Sequence, residues 1–407
     1  MKDSMKQLFY SLSAFCLLML ASSEGHAQPY QIISTQNSVV ANNLNKTVTT
    51  VQVGNNPVNS FKFARVVKDV PSQAIKGTIL LLPPLGSGFQ NYEVGENDDY
   101  NNSFVAFFAQ RNYDVWGYYQ RVQGIVAGSC ESGAVDCSAM AGWGLQTIVD
   151  DVAFIRQQID LVHPGEKPVV GGLSLGSIAA LATVNAHPND YAGAILIDGT
   201  IHDLDAAVRA TNANFCAAAE NLLANGVFYD GQGGPGFKLL SQLAKNDPNG
   251  LTPLPGFPPG FTNHMVFVAA LSATPLSPIS PRPGFFNLAG SVAEDRFFYA
   301  NELLVHANVA QFVDYTAIRT LRDLNCGLAG EQTFTGNLQN FARPVIMFGA
   351  GHGFGTGMID TAQLMSSAEV TLNFKQAYGH VDYVFSTNHL QELEHPILHW
   401  LQKDAFK

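Results

Sequence analysis

Pro168-Val-Val-Gly-Gly-Leu-Ser-Leu-Gly-Ser-Ile-Ala-Ala-Leu-Ala-Thr-Val184 is the stretch on which the reading of this chain turns. Val169 and Val170 make a short β-branched run, and Ile178, Leu181 and Ala182 recur at helical spacing. Between them stands Gly172-Leu-Ser174-Leu-Gly176, a G-x-S-x-G pattern. The stretch therefore predicts strand, sharp turn and helix, with Ser174 at the tip of the turn. So tight a turn strains the serine backbone, and a side chain at 172 or 176 would collide with neighbouring backbone. The strain lifts the hydroxyl clear of the sheet, within reach of a base and a substrate. The five-residue pattern alone is a weak signal. Its flanks favour a nucleophile over a plain glycine-rich turn.

Working outward, Gly77-Thr-Ile-Leu-Leu-Leu-Pro83 is a continuous apolar run suited to a buried central strand. Asn102–Gln110, with Phe104, Phe107 and Phe108, reads as a helix and Tyr113–Tyr119 as the next strand. An amphipathic helix is expected from about Trp143 to Ile159, on Leu145, Ile148, Val152 and Ile155. Ala192–Asp198 is another buried strand, and Pro344–Gly349 and Ala368–Phe374 are the last two. A terminal helix spans Leu390–Gln402, with Pro396 near a kink. Upstream, the asparagine-rich segment Gln28–Ser60 contains one alternating run, Val48–Val53, and a second covers Phe61–Arg65. Both predict antiparallel strands at a sheet edge. The alternation of strand and helix gives an α/β class with a mostly parallel, doubly wound sheet.

Between Thr200 and Ala342 that alternation breaks. Asp203–Asn225 is alanine-rich and helical in pattern, whereas Asp247–Phe261 and Thr274–Phe286 are dense in proline, glycine and phenylalanine and read as ordered loops. An insertion here lies over the carboxyl ends of the strands, where open α/β sheets bind ligands. Its apolar content favours a lid or binding wall over surface decoration. The expected organisation is a leader at 1–27, a core of 28–199 and 343–407, and a cap or lid insertion at 200–342.

The 407 residues carry a net charge of −11, which argues against a nucleic acid or an anionic membrane surface as partner. Lys2 and Lys6, the apolar run Leu8–Leu20 and the small-residue site Gly25-His-Ala27 read as an export signal cleaved before Gln28. Cys16, flanked by apolar residues, is not read as a lipid-anchor site. The apolar run is too short to span a bilayer and no later stretch is longer, so the expectation is an exported protein without a stable membrane span. Cys130, Cys137, Cys216 and Cys326 then remain as an even set in an oxidising compartment. Of the three possible pairings, Cys130–Cys137 with Cys216–Cys326 is favoured. The first closes a short loop, and the second ties the two ends of the insertion. No cysteine pair has tight metal-ligand spacing, and no metal or cofactor is expected.

A serine needs a base. His380, in Tyr378-Gly-His-Val-Asp382 after the last strand, lies at the sheet edge that carries Ser174. His163 and His187 precede prolines or turns and read as surface positions, and His395 and His399 lack the context of a zinc helix. His352 in the glycine-rich loop is a candidate for lining the pocket. The third member is open between two acids. Asp198 ends the strand after the Ser174 helix and is favoured. Asp360 is the first acid after Gly349, eleven residues on. Asp382 reads as a loop-stabilising acid. For an oxyanion hole, Leu175 supplies one backbone N–H, and Leu85 is the first donor after Pro83-Pro84. Gly86 and Gly88 leave room for a substrate.

Leu82-Pro-Pro-Leu-Gly-Ser-Gly, Arg111-Asn-Tyr-Asp-Val-Trp-Gly, Gly172-Leu-Ser-Leu-Gly and Gly379-His-Val-Asp occur in the order seen in the α/β-hydrolase superfamily, which the chain resembles over most of 60–200 and 340–405. Tyr378–Phe385 is similar to the histidine loop of its acid-lipase branch. The chain departs from that pattern in having two prolines where His-Gly is common and no acid directly after Gly349. The resemblance implies a serine esterase or lipase-like enzyme acting on a small-molecule or lipid ester through an acyl-enzyme on Ser174. Acyl transfer or amide hydrolysis by the same residues, or an idle binding protein of the same fold, are the alternatives.

Overall fold

Ile79–Leu82 sends successive apolar side chains to opposite faces of a strand, and all are buried, so the strand must be covered on both sides. The computed structural model, which describes residues 29–406 except 42, 72–73, 97–98, 232 and 273–283, places it at the centre of a nine-stranded sheet. In chain order the strands are β1 (Tyr30–Ala41), β2 (Leu44–Val53), β3 (Ser60–Lys68), β4 (Thr78–Leu82) and β5 (Asp114–Tyr119). They continue with β6 (Val169–Leu173), β7 (Gly193–Ile197), β8 (Val345–Ala350) and β9 (Val370–Lys375). Their spatial order is β1-β2-β3-β5-β4-β6-β7-β8-β9, antiparallel from β1 to β5 and parallel beyond. The expected leader 1–27, with Cys16, lies outside the described residues, as does most of the loop Thr274–Phe286.

Each face of the sheet has its own core. Leu80, Leu82, Val170 and Leu196 pack beneath helices α2 (Leu145–Val162) and α3 (Leu175–Ala186). Ile79, Leu81, Val169 and Ile197 pack on the other face against α1 (Phe104–Ala109) and the terminal helical segment. That segment is helical from Leu390 to Ala405, with wide π-type turns on either side of His395–Trp400. Pro396 sits in the first turn of that central piece, where a missing N–H matters least. A buried ion pair joins the polar start of β1 to this core. Arg121 Nη2 lies 2.5 Å from Asp151 Oδ1, and the hydroxyls of Tyr118 and Tyr30 donate to the same carboxylate at 2.9 and 3.2 Å.

Between β7 and β8 the chain leaves the sheet for 200–342. Helices α4 (Ala206–Ala224), α5 (Gly233–Asn246), α6 (Asn263–Ser272), α7 (Glu302–Val309) and α8 (Ile318–Leu328) fall there, and Asp247–Phe261 is irregular. Phe267, Val268, Leu271, Leu304 and Val305 give this segment a small core of its own. Cys216 on α4 is bonded to Cys326 on α8, and Cys130 to Cys137. Among the described residues the one grouping of three candidate metal ligands is Cys216, Glu220 and Cys326, and its two sulfurs are bonded to each other. No helix of the described residues is long and apolar enough to cross a membrane.

The two disulfides differ in the chain they close, 110 residues against 7. On chain entropy the longer constrains the unfolded state by about 5 kcal/mol and the shorter by about 2. Replacing Cys216 and Cys326 by serine is expected to lower the midpoint of denaturant unfolding well below that of the Cys130/Cys137 serine pair. Equal losses would show that native packing, not loop closure, dominates.

Candidate active site

Leu173 ends β6 and Leu175 begins α3, so Ser174 alone makes the turn between them. Its backbone is held at φ 59° and ψ −120°, a strained setting for a residue with a side chain. Glycines on both sides permit this, because a Cβ at Gly172 or Gly176 would run into the Leu82 carbonyl oxygen of β4. Underneath, the buried Tyr92 hydroxyl accepts from Leu173 N at 2.7 Å and donates to Leu82 O at 2.7 Å. It cross-links the ends of β4 and β6 at the base of the turn.

Ser174 Oγ lies 2.7 Å from Nε2 of His380. On the far side of the ring, Nδ1 lies 2.7 Å from Asp198 Oδ2. Asp198 follows β7 and is wholly buried, and its other bonds explain how a carboxylate tolerates that. Oδ1 accepts from Ala350 N at 2.8 Å and Oδ2 from Phe354 N at 3.1 Å. The last residue of β8 and the glycine-rich loop after it, which has no acid before Asp360, thus supply the amides that hold Asp198. Asp360 is elsewhere: it stands on helix α9 (Thr356–Leu364) and accepts from Leu204 N at 2.8 Å.

The His380 ring is 3% exposed, stacked on Phe286 with centroids 4.7 Å apart and met edge-on by Phe354. Its loop is bound to the insertion by backbone: His380 N donates to Phe286 O, and Val381 N to Asn287 O at 2.8 Å. Asp382 completes the join, with Oδ2 accepting from Gly379 N at 2.6 Å and Ala289 N at 3.0 Å. Burial pushes the Asp382 carboxyl up to about 7, with a smaller upward push from the Asp198 charge, against the downward pull of the two amides.

Ser174 and His380 open on a cavity of about 290 Å³. Its wall is mostly apolar, from Leu85 and Leu173 of the core and Phe237, Leu271, Phe286, Val309 and Phe312 of the insertion. Asn91, Asp230, Asn287, Asn308 and Thr316 are polar exceptions. The backbone N–H groups of Leu85 and Leu175 have no protein acceptor among the described residues. Two expected pocket residues are not on this wall. Gly86 borders a separate small cavity and its carbonyl is taken by Val313 N at 2.7 Å. The His352 ring packs on Phe285 instead, with centroids 4.9 Å apart. Tyr92, Asn91 and Asn308 had no sequence signal, since none belongs to a local motif.

Two outcomes follow from these contacts. Tyr92→Phe leaves a buried N–H and a buried carbonyl unpaired, and is expected to cost about 1–3 kcal/mol in denaturant unfolding. A loss no greater than that of a surface tyrosine would remove Tyr92 as the cross-link. For Asp382, the folded pKa of about 7 exceeds the ordinary 3.8, so between these values the folded state holds the proton that the unfolded chain releases. The stabilising contribution is therefore full below about pH 4 and is lost as pH rises through about 7. Asp382→Asn should gain stability on the parent steadily over that window, and a pH-independent difference would refute this.

No family model and no curated protein matches the chain in sequence. Solved structures do match in shape. A candidate lipase from Sulfolobus solfataricus is similar over 92% of this chain and 99% of its own, with a TM-score of 0.64 at 20% identity. A highly thermostable carboxyl esterase from Bacillus coagulans is similar over 92% of this chain and 100% of its own, with a TM-score of 0.51 at 12% identity. Strand order, the strained serine turn after β6 and these likenesses agree: this chain has the α/β-hydrolase fold.

Proposed function

We propose that the protein is an exported serine hydrolase that cleaves carboxylic esters through an acyl-enzyme on Ser174. The observation that carries this is the line of hydrogen bonds Ser174–His380–Asp198, 2.7 Å at each step, opening on an apolar cavity. His380 Nε2 takes the Ser174 proton as Oγ attacks the ester carbonyl carbon. Asp198 holds Nδ1–H, which fixes the tautomer and stabilises the imidazolium that forms. The oxygen that gains charge is received by the N–H groups of Leu85 and Leu175, the second in the first turn of α3 where the helix dipole favours an anion. The imidazolium then protonates the departing alkoxide. In the second half, water gives a proton to His380 as its oxygen attacks the acyl carbon, and the imidazolium returns that proton to Ser174 Oγ as the acyl–Oγ bond breaks and the carboxylic acid leaves.

The insertion 200–342 acts in this reading as a cap that walls the cavity. The prevalence of phenylalanine, leucine and valine there supports an apolar acyl or alcohol group. Export is supported by the two disulfides together with the leader pattern at 1–27.

Intact mass after treatment with a fluorophosphonate tests the reading. The parent should gain one adduct, absent in Ser174→Ala and formed at least about a hundredfold more slowly in His380→Ala and Asp198→Asn. Asp360→Asn should label at the parental rate. A folded parent that takes no adduct would overturn the enzyme reading in favour of a binding protein of the same fold.

A further inference from the structure

Asn91 and Asn308 interrupt the apolar wall of the Ser174 cavity, and both also border an adjoining cavity of about 20 Å³ shared with His389 and Glu394. Both asparagines are buried to 3% exposure, and in each the side-chain oxygen has no protein donor among the described residues. The orientation at Asn308 is fixed, because its Nδ2 donates to Leu304 O at 2.9 Å. Exchanging oxygen and nitrogen would set two acceptors against each other, so Oδ1 is an acceptor in want of a donor. Glu394 adds a third such oxygen: Oε1 is 2.7 Å from His389 Nδ1, whereas Oε2 has no protein donor.

Asn308 and Glu394 each bring a buried oxygen without a protein donor to this junction, and Asn91 an amide that can turn its oxygen or its nitrogen there; buried polar atoms left unpaired are unfavourable until a partner arrives. We propose that Asn91 and Asn308 form a subsite that accepts a hydrogen bond from a hydroxyl group on the ester held in the Ser174 cavity. This rests on the esterase reading and narrows its substrate class to hydroxylated esters that are otherwise apolar. An ammonium would be the other donor, but a cation stripped of water needs a counter-charge, and of the carboxylates that border the two cavities Glu394 is paired with His389 and Asp230 has an interaction of its own. A hydroxyl needs only the acceptors present. The apolar remainder of the wall then sets where along the molecule that hydroxyl falls.

Sites built to bond a substrate hydroxyl discriminate strongly against analogues without it, because the site's own groups are then left unpaired. The test compares kcat/KM for matched plain and hydroxylated esters: p-nitrophenyl alkanoates with their hydroxyalkanoate partners, and alkyl acetates with hydroxyalkyl acetates, over short and medium chain lengths. At least one hydroxylated ester should exceed its plain partner about tenfold or more, and Asn308→Leu and Asn91→Leu should each collapse that ratio. Asn308→Ala and Asn91→Ala serve where a leucine prevents folding. Plain esters favoured at every length would overturn the subsite and leave the asparagines to bound water. A preference that survives both substitutions would overturn it equally. Fluorophosphonate labelling of the same parent separates the two levels: labelling without a hydroxyl preference sinks the subsite alone, and no labelling with no ester turnover sinks both.

Discussion

The Asp198 carboxylate is wholly buried and has no lysine or arginine among its hydrogen-bond partners in the described residues, so its charge is met there by oriented N–H groups. One comes from Ala350 at the end of β8 and one from Phe354 in the turn after it, and the third bond is to the imidazole of His380. The donors belong to two sequence neighbourhoods, both distant from Asp198 in the chain, and neither is useful unless β7, β8 and the histidine loop end at the same level. The parallel registers β6–β7 and β7–β8 provide that level. Gly353 shows how close the fit is, since a Cβ there would strike the Asp198 carboxylate. The acid does more than orient a ring. It fixes the loop after β8 to the sheet, and the imidazole completes its set of partners.

Ser174 depends on the same sheet by a different route. Its strained backbone persists because β4 and α3 are pressed together at the Leu82 carbonyl, with glycine the residue that fits on either side. Tyr92 then supplies the hydrogen bonds that the tight turn denies to Leu173 N and Leu82 O. Ser174, Asp198 and His380 thus follow the ends of β6, β7 and β9, each locked by backbone contacts. Such preorganisation is what makes a serine–histidine pair useful, because little has to be rearranged when charge develops.

Local signals made most of this legible. The apolar run 79–82, the elbow around Ser174 and the strands near 193–197 and 345–350 all carry their state in their own residues. Tyr30–Ala41 does not: it is a long exposed edge strand with polar side chains and no alternation, held by pairing to β2 rather than by burial. The choice between Asp198 and Asp360 was open for a physical reason. What places a buried acid is the set of backbone amides around it, and an amide has the same identity at every residue. The sequence marked the loop 350–355 as short of an acid, but could not mark it as a source of donors. Asn91, Asn308 and Tyr92 were hidden likewise, since their roles arise from contacts made across the fold.

One segment belongs to two parts of the molecule at once. Phe286, Asn287 and Leu288 line the cavity, while the carbonyls of Phe286 and Asn287 receive the N–H groups of His380 and Val381. Asp382 reaches across to Ala289 to hold the same join. This stretch of the wall cannot swing away without carrying His380 off Ser174 and Asp198. Any opening of the cavity that keeps the three side chains in line must therefore come from other parts of the insertion, such as α5; α7 is tied in, since Asn301 N at its start donates to Phe385 O at 2.7 Å. The insertion is in this sense divided between a fixed strip that belongs to the site and helices that only enclose it.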